Sequence, residues 1–365
     1  MRLKITKLFR SYFRDIDLLL MLAIVFLCGL SIVNMFGIDG SGPLFKKQII
    51  LVCVGLVVMI LFSFLNYRYL KNYSLPVLLL YILSLLLLGL TLFSQSVRST
   101  NSWLIFGNYT FEPSELTKLC LIILTAKYFS QKHIYIYQFG HIIASGLYFV
   151  IPTALILKQP DLGSASILIL IWAGLLVAAG INKKHLGFLL LVATILFSSA
   201  WFFVLKPYQK ERVVSFFNQT EDPLGSGYNL IQSKIAIGSG SWFGNGLGHG
   251  SQATLGFLPE PHNDFILASF VEQFGFVGAT TLLGVILFVV YRILNIGASS
   301  GFNFGKLFSV GLAIFIFSHV FISVGVNIGI LPVTGLPLPF FSSGGSNLVS
   351  IMAGLGILQS IKRHS

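Results

Sequence analysis

One feature constrains this chain more than any other: apolar runs of about 20 residues recur along its whole length. A bilayer core about 30 Å thick sets that length for a helix rising about 1.5 Å per residue. Ten spans are read, at about 18–36, 48–65, 75–94, 114–130, 139–157, 162–180, 186–205, 264–291, 304–330 and 342–361. Composition agrees, with 55% apolar residues, 10% charged residues and a mean hydropathy of +0.86. A soluble domain carries about 25% charged residues. The expected fold class is all-α: a polytopic membrane protein of about ten transmembrane helices, one membrane domain over 1–365. A basic arm (1–17) precedes the first span, a long loop (206–263) follows the seventh, and 264–361 holds the last three spans. The first span is long and lacks a small-residue cleavage site, so it reads as a retained anchor.

Orientation follows from Lys and Arg. The arm residues Arg2, Lys4, Lys7, Arg10 and Arg14 fall on one side with Arg68, Lys71, Lys132, Lys183, Lys184, Arg292, Lys362 and Arg363. The short loops of the other side hold only Lys46, Lys47, Arg98 and Lys158. This bias puts both termini in the cytoplasm and the long loop outside. The net charge of +12 is therefore a topology signal and does not indicate nucleic acid. The basic arm suits anionic lipid. Most of the twelve acids fall at or beyond the outer surface; Asp15 and Asp17 are inside and Glu272 lies within a span. That skew points to an outward-facing site. Cys28, Cys53 and Cys120 all lie in apolar runs without metal-ligand spacing, which predicts small buried hydrophobes and no disulfide framework.

Several segments carry candidate chemistry. Leu258-Pro259-Glu260-Pro261-His262-Asn263-Asp264-Phe265 closes the long loop. Asp264 fits a helix N-cap; at an apolar membrane edge it also fits a general base. Glu272 lies eight residues on, about 12 Å deeper on the same helix face, where it must face protein or a watery cavity. Glu112-Pro113-Ser114-Glu115-Leu116-Thr117-Lys118 opens the fourth span. Glu115 and Lys118, at i,i+3, can simply pair, yet a Lys one turn inside the membrane also marks function. Asp161 in Pro160-Asp161-Leu162-Gly163 reads as a cap for the sixth span. The loop adds Arg212, Gln232, Lys234 and a glycine-rich run from Gly238 to Gly250. That run lacks a Rossmann or P-loop spacing; it reads as a flexible turn, with an anion-holding backbone as the alternative. From Asn327 to Ser346, three prolines and many glycines rule out a continuous helix. Such irregular backbone near membrane depth must be buried in protein or line a cavity.

Together these stretches resemble one family. Asp222-Pro223-Leu224-Gly225-Ser226-Gly227-Tyr228-Asn229, Gln232-Ser233-Lys234-Ile235-Ala236-Ile237-Gly238-Ser239-Gly240, Leu258-Pro259-Glu260 with His262 and Asp264-Phe265, Pro113-Ser114-Glu115 with Lys118, Gln159-Pro160-Asp161-Leu162-Gly163 and the Leu331–Ser346 block are similar to the shape, elongation, division and sporulation family. The Gln232–Gly240 wording looks more like its rod-shape branch, RodA, than its division branch, FtsW. The resemblance implies a peptidoglycan glycosyltransferase that polymerises lipid II at the outer face of the bacterial cytoplasmic membrane. It implies a class B penicillin-binding protein as partner, beside other elongation-complex membrane proteins.

The same resemblance places catalysis on Asp264, Glu115 and Lys118. Substrate contact falls to Arg212, Asp161, Lys234, Gln232, Glu260, His262 and Ser342. A divalent cation, Mg or Mn, is an option for offsetting pyrophosphate charge, and no organic cofactor is expected. This chain departs from the family pattern at Glu112, where Gln is usual, at Ser102, where Arg is usual, and at Ser343, where Tyr is usual. The competing readings are a flippase for lipid-linked precursors, a noncatalytic scaffold and a division-branch polymerase.

Overall fold

The computed structural model describes residues 16–94, 101–107, 109–132, 139–203, 210 and 227–364. Ten long helices occupy the ten expected spans: α1 (Leu18–Asp39), α2 (Pro43–Phe64), α4 (Ser74–Thr91), α5 (Pro113–Lys132), α6 (Phe139–Lys158), α7 (Leu162–Ala179), α8 (Lys183–Phe203), α11 (Ile266–Ser299), α12 (Asn303–Ile328) and α13 (Gly345–His364). Shorter helices are α3 (Arg68–Asn72), α9 (Tyr228–Ser239) and α10 (Ser251–Thr254). A hairpin of β1 (Leu104–Phe106) and β2 (Tyr109–Phe111), turned at Gly107 with φ 60°, is a small exception to the all-α expectation. The protein is a multi-pass membrane protein: among the described residues, seven helices are long and apolar enough to span a bilayer by themselves.

Helix ends follow local chemistry. Asp17 caps α1 by accepting from the Leu20 N–H at 2.9 Å, and Asp161 caps α7 through the Ser164 N–H at 2.9 Å. Pro43 opens α2, where it lacks only an N–H that would go unpaired. Gly180 and Gly329 end α7 and α12 in the left-handed region. Ten crossings return the chain to the face it left, so both described ends, Ile16 and His364, lie on one side and the Asp264 segment on the other.

Polarity sorts the layers. In α12, 67% of the most apolar stretch is buried, against 28% in α2, α4 and α6. α5 and α13 are too polar to span alone, and they sit inside: α5 between α4, α7, α12 and α13, and α13 between α2 and α5. The peripheral helices turn large apolar side chains outward, such as Leu22, Leu61 and Leu86. That is the pattern of helices facing hydrocarbon on one side and protein on the other. Cys28 and Cys120 are buried as expected, whereas Cys53 is exposed on the outer face of α2, a position the uniformly apolar run could not reveal.

The eighth span is interrupted. Gly275 takes φ 69°, ψ −168° inside α11, and the glycine-rich run docks into the break. Asn245 and Gly246 N–H donate to the Glu272 and Gln273 carbonyls at 2.9 and 3.1 Å, while Phe276 and Val277 N–H donate to Ser241 and Trp242. A Cβ at Gly244 would lie 2.1 Å from the Gln273 oxygen, so only glycine permits the approach. This run is therefore neither a free turn nor an anion cradle, because its amides restore bonds that the broken helix lost. Glu272 is fully buried and accepts from the Gln252 and Ala253 N–H groups at 2.8 and 3.2 Å, a structural role that fastens α10 to α11.

Candidate active site

The site grows from the irregular segments around Asp264. The helix cap position falls on Phe265, so Asp264 stands one residue outside it and the N-cap reading is corrected. Asn327, near the end of α12, fixes this junction: its Nδ2 donates to the Asp264 carbonyl at 2.9 Å and to the Ser323 carbonyl at 2.8 Å. Its Oδ1 accepts from the Ala268 N–H at 3.0 Å. One buried amide thus satisfies an orphan donor of α11 and holds the backbone of the Asp. The Pro/Gly-rich segment closes over the same loop. The Ser343 N–H donates to the His262 carbonyl, the Ser343 hydroxyl to Asn263 Oδ1, and the Ser342 hydroxyl to the Asn263 carbonyl at 2.9 Å.

Trp103, Glu112, Asn263, Asp264, Gly335, Pro337, Gly344, Ser346 and Asn347 wall a cavity here. It measures about 30 Å³, close to the volume of one water, so binding a sugar requires it to widen. A larger hollow of about 450 Å³, between Lys71, Asn72, Ser130 and Phe302, lies at the opposite end of the bundle and has no carboxylate in its wall.

Behind the cavity lies a fully buried ion pair. Lys118 Nζ donates to Glu115 Oε1 at 2.8 Å and Ser164 Oγ at 3.3 Å, and faces His319 Nε2 at 3.3 Å. His319 Nδ1 faces the Pro337 carbonyl at 3.3 Å. A carbonyl only accepts and an ammonium only donates, so His319 is neutral with its proton on Nδ1. All three Lys118 donors are then occupied. Asn347 Nδ2 donates to Glu115 Oε2 at 2.9 Å and Asn347 also walls the cavity, so it links the two layers. Glu112, in the turn before α5, accepts from Ser114 Oγ at 2.6 Å. Burial first, and the nearby Glu115 carboxylate second, raise its pKa well above the usual carboxylate range.

Of the residues named from sequence, Asp264 lines the cavity, and Glu115 and Lys118 stand one layer behind it. Asp161 is half-exposed and is hydrogen-bonded to this network through Ser164. Ser342 is committed to the loop seam, since its hydroxyl also accepts from the Leu338 N–H at 2.9 Å. Glu260 and His262 face each other at 3.4 Å and shape the loop ahead of Asp264. Gln232 and Lys234 sit on α9 outside the cavity wall, with the Lys234 chain lying against Gly329 at the end of α12. Arg212 and Arg98 lie outside the described residues. Sequence reading missed Trp103, Asn263, His319, Asn327 and Asn347 as site residues. Its available signal was a set of amides and a His in otherwise apolar or loop segments.

Comparison with known proteins agrees over nearly the whole chain. The family model FTSW_RODA_SPOVE, described as cell cycle protein, matches residues 10–365. The peptidoglycan glycosyltransferase MrdB of Escherichia coli (strain K12) is 36% identical over 348 residues, covering 95% of this chain and 92% of that protein. Stage V sporulation protein E of Bacillus subtilis (strain 168) is 32% identical, covering 90% and 89%. A chain from a structure on the coordination of polymerization and crosslinking by a peptidoglycan synthase complex superposes with a TM-score of 0.80 at 32% identity, covering 96% and 98%. The crystal structure of the rod shape determining protein RodA of Thermus thermophilus gives 0.70 at 28% identity, covering 95% and 97%. With a match from the basic arm to the last helix, this chain belongs to the FtsW/RodA/SpoVE family of cell cycle proteins.

Proposed function

We propose that this protein is a peptidoglycan glycosyltransferase that polymerises lipid II, with Asp264 as its general base. One observation carries the reading: a carboxylate at a membrane-protein end shares a cavity wall with an indole, Trp103, and two side-chain amides, Asn263 and Asn347. That lining suits a sugar ring, whose oxygens need hydrogen-bond partners and whose C–H face suits an aromatic surface. The kinship with peptidoglycan glycosyltransferases supplies the substrate class.

In the reaction a sugar hydroxyl of one lipid-linked unit attacks the anomeric carbon of another. The new glycosidic C–O bond forms, the bond to the lipid pyrophosphate breaks, and the hydroxyl proton passes to Asp264. A positioned base contributes about 10²–10⁴-fold. Asn327 holds the backbone of that base, and the buried Glu115–Lys118 pair, through Asn347, props the wall beside it. Lys118 is a poor direct clamp for the pyrophosphate, because its three donors are taken. Lys234 and Arg212 are the other cations that the sequence offers for this role. A divalent cation, if one takes part, would offset the pyrophosphate charge while held by the substrate's own phosphates and one or two carboxylates.

The positive-inside bias supports placing both termini in the cytoplasm and the Asp264 end outside the bacterial cytoplasmic membrane. Kinship with a chain of a synthase complex supports a class B penicillin-binding protein as partner. The identity to MrdB and the Gln232–Gly240 wording support a role in elongation. The test is polymerisation of lipid II by purified protein in detergent, with and without Mg or Mn. Glycan strands are the expected product; a flippase or a scaffold would make none.

A further inference from the structure

Glu112 has no part in the reaction as drawn, yet it shares the cavity wall with Asp264. It is only 8% exposed. Its N–H is held by Ser346 Oγ at 2.8 Å, and its Oε1 accepts from Ser114 Oγ at 2.6 Å with Ser164 Oγ at 3.4 Å. Its Oε2 makes no hydrogen bond among the described residues, and the residue lines the cavity. Among the described residues no cation pairs with it. Lys118 is turned to Glu115, Ser164 and His319. The other titratable groups around it are Glu115 on α5, Asp161 before α7, Asp264 before α11 and the neutral His319 on α12. Among the described residues, carboxyls therefore outnumber the one committed cation. A buried carboxyl in that company keeps its proton. A protonated carboxyl is nearly isosteric with a glutamine amide and also donates one hydrogen bond forward.

We propose that Glu112 is a substrate-binding residue that acts as a neutral acid, its Oε2–H donating to an oxygen of the saccharide seated against Trp103 and Asp264. The proposal rests on the glycosyltransferase reading for the identity of the saccharide. Neutrality at Glu112 also protects the base: a second carboxylate in so small a cavity would hinder ionisation of Asp264 and repel the pyrophosphate.

Two measurements on the purified full-length protein test this. The first is lipid II polymerisation by wild type, Glu112→Gln and Glu112→Ala from mildly acid to strongly alkaline pH. The Gln variant is expected to lose less than about threefold in kcat/KM at neutral pH and to hold its activity further into the alkaline range, because an amide cannot ionise. The Ala variant is expected to raise KM about tenfold, the worth of one hydrogen bond. A loss of about a hundredfold in the Gln variant would mean that the ionised carboxylate is needed, and would overturn the proposal. The second is the infrared difference spectrum of wild type minus Glu112→Gln at neutral pH, which requires no activity. The C=O stretch of a protonated carboxylic acid is expected; carboxylate bands in its place overturn the proposal. A wild type that makes no glycan defeats the functional reading, while the infrared result still decides the state of Glu112.

Discussion

At the end of the bundle where Ile16 and His364 lie, Asp17 is 1% exposed and both its oxygens are held. Oδ1 accepts from Leu20 N–H at 2.9 Å, and Oδ2 from Lys362 at 2.9 Å and from Arg292. Gln359 brackets its backbone, accepting from Asp17 N–H at 2.9 Å. One carboxylate thereby joins the start of α1 to α11 and α13. The opposite end also buries charge and arranges it differently. Glu115 and Lys118 are closed off by partners, but Glu112 and Asp264 stand in the wall of a cavity. The contrast separates two uses of a carboxylate. Where it fastens helices it is enclosed among its partners; at the other end two carboxyl residues line a cavity.

The sharpest way to break this contrast is to remove one charge at each end. Asp264→Asn keeps the shape and removes the basicity. It is expected to lower the rate of lipid II polymerisation about 10²–10⁴-fold, with the melting temperature in detergent little changed. A stable variant at wild-type rate would remove Asp264 from the role of base. If the variant instead melts early and retains its rate, the two ends have been assigned the wrong way round.

A smaller effect is expected one layer back. Lys118→Met leaves Glu115 fully buried without its cation, and breaking such a pair costs about 3–5 kcal/mol. Adding Glu115→Gln removes the second charge and is expected to restore much of that stability, because the uncompensated carboxylate is gone. Denaturant unfolding in detergent reads both. Failure of the double variant to recover would show that the pair's value lies in its bonds to Ser164, His319 and Asn347 rather than in its charges.

The ten spans were legible because bilayer thickness writes itself into apolar run length, and Asp161 was legible as the cap of its helix. Asp264 and the Glu115–Lys118 pair were legible as charge where charge is costly. The break at Gly275 was not, because a glycine within an apolar run looks the same whether or not its helix continues. Nor was the glycine-rich run, whose partners are carbonyls about 30 residues away in sequence. His319, Asn327 and Asn347 escaped notice for a related reason. Their importance lies in which helices α12 and α13 pack against, and no local pattern encodes that.

The mildest effect belongs to Asp17, and pH reads it. Burial alone would raise its pKa, but the Leu20 N–H, Lys362 and Arg292 outweigh burial and leave it below the ordinary carboxylate value. A group depressed in the folded state favours folding above its unfolded pKa, and that contribution fades as pH falls through the folded value. Asp17→Asn is therefore expected to cost about 2 kcal/mol at neutral pH, the scale of hydrogen bonds to a charged group. The gap in melting temperature between wild type and variant is expected to narrow as the solution is acidified below the ordinary carboxylate range. Melting curves in detergent across that range check it. A gap near zero at neutral pH would mean that the residue acts through the α1 cap alone, which Asn also provides; a gap that stays constant or widens toward acid would mean that ionisation of Asp17 does not set it.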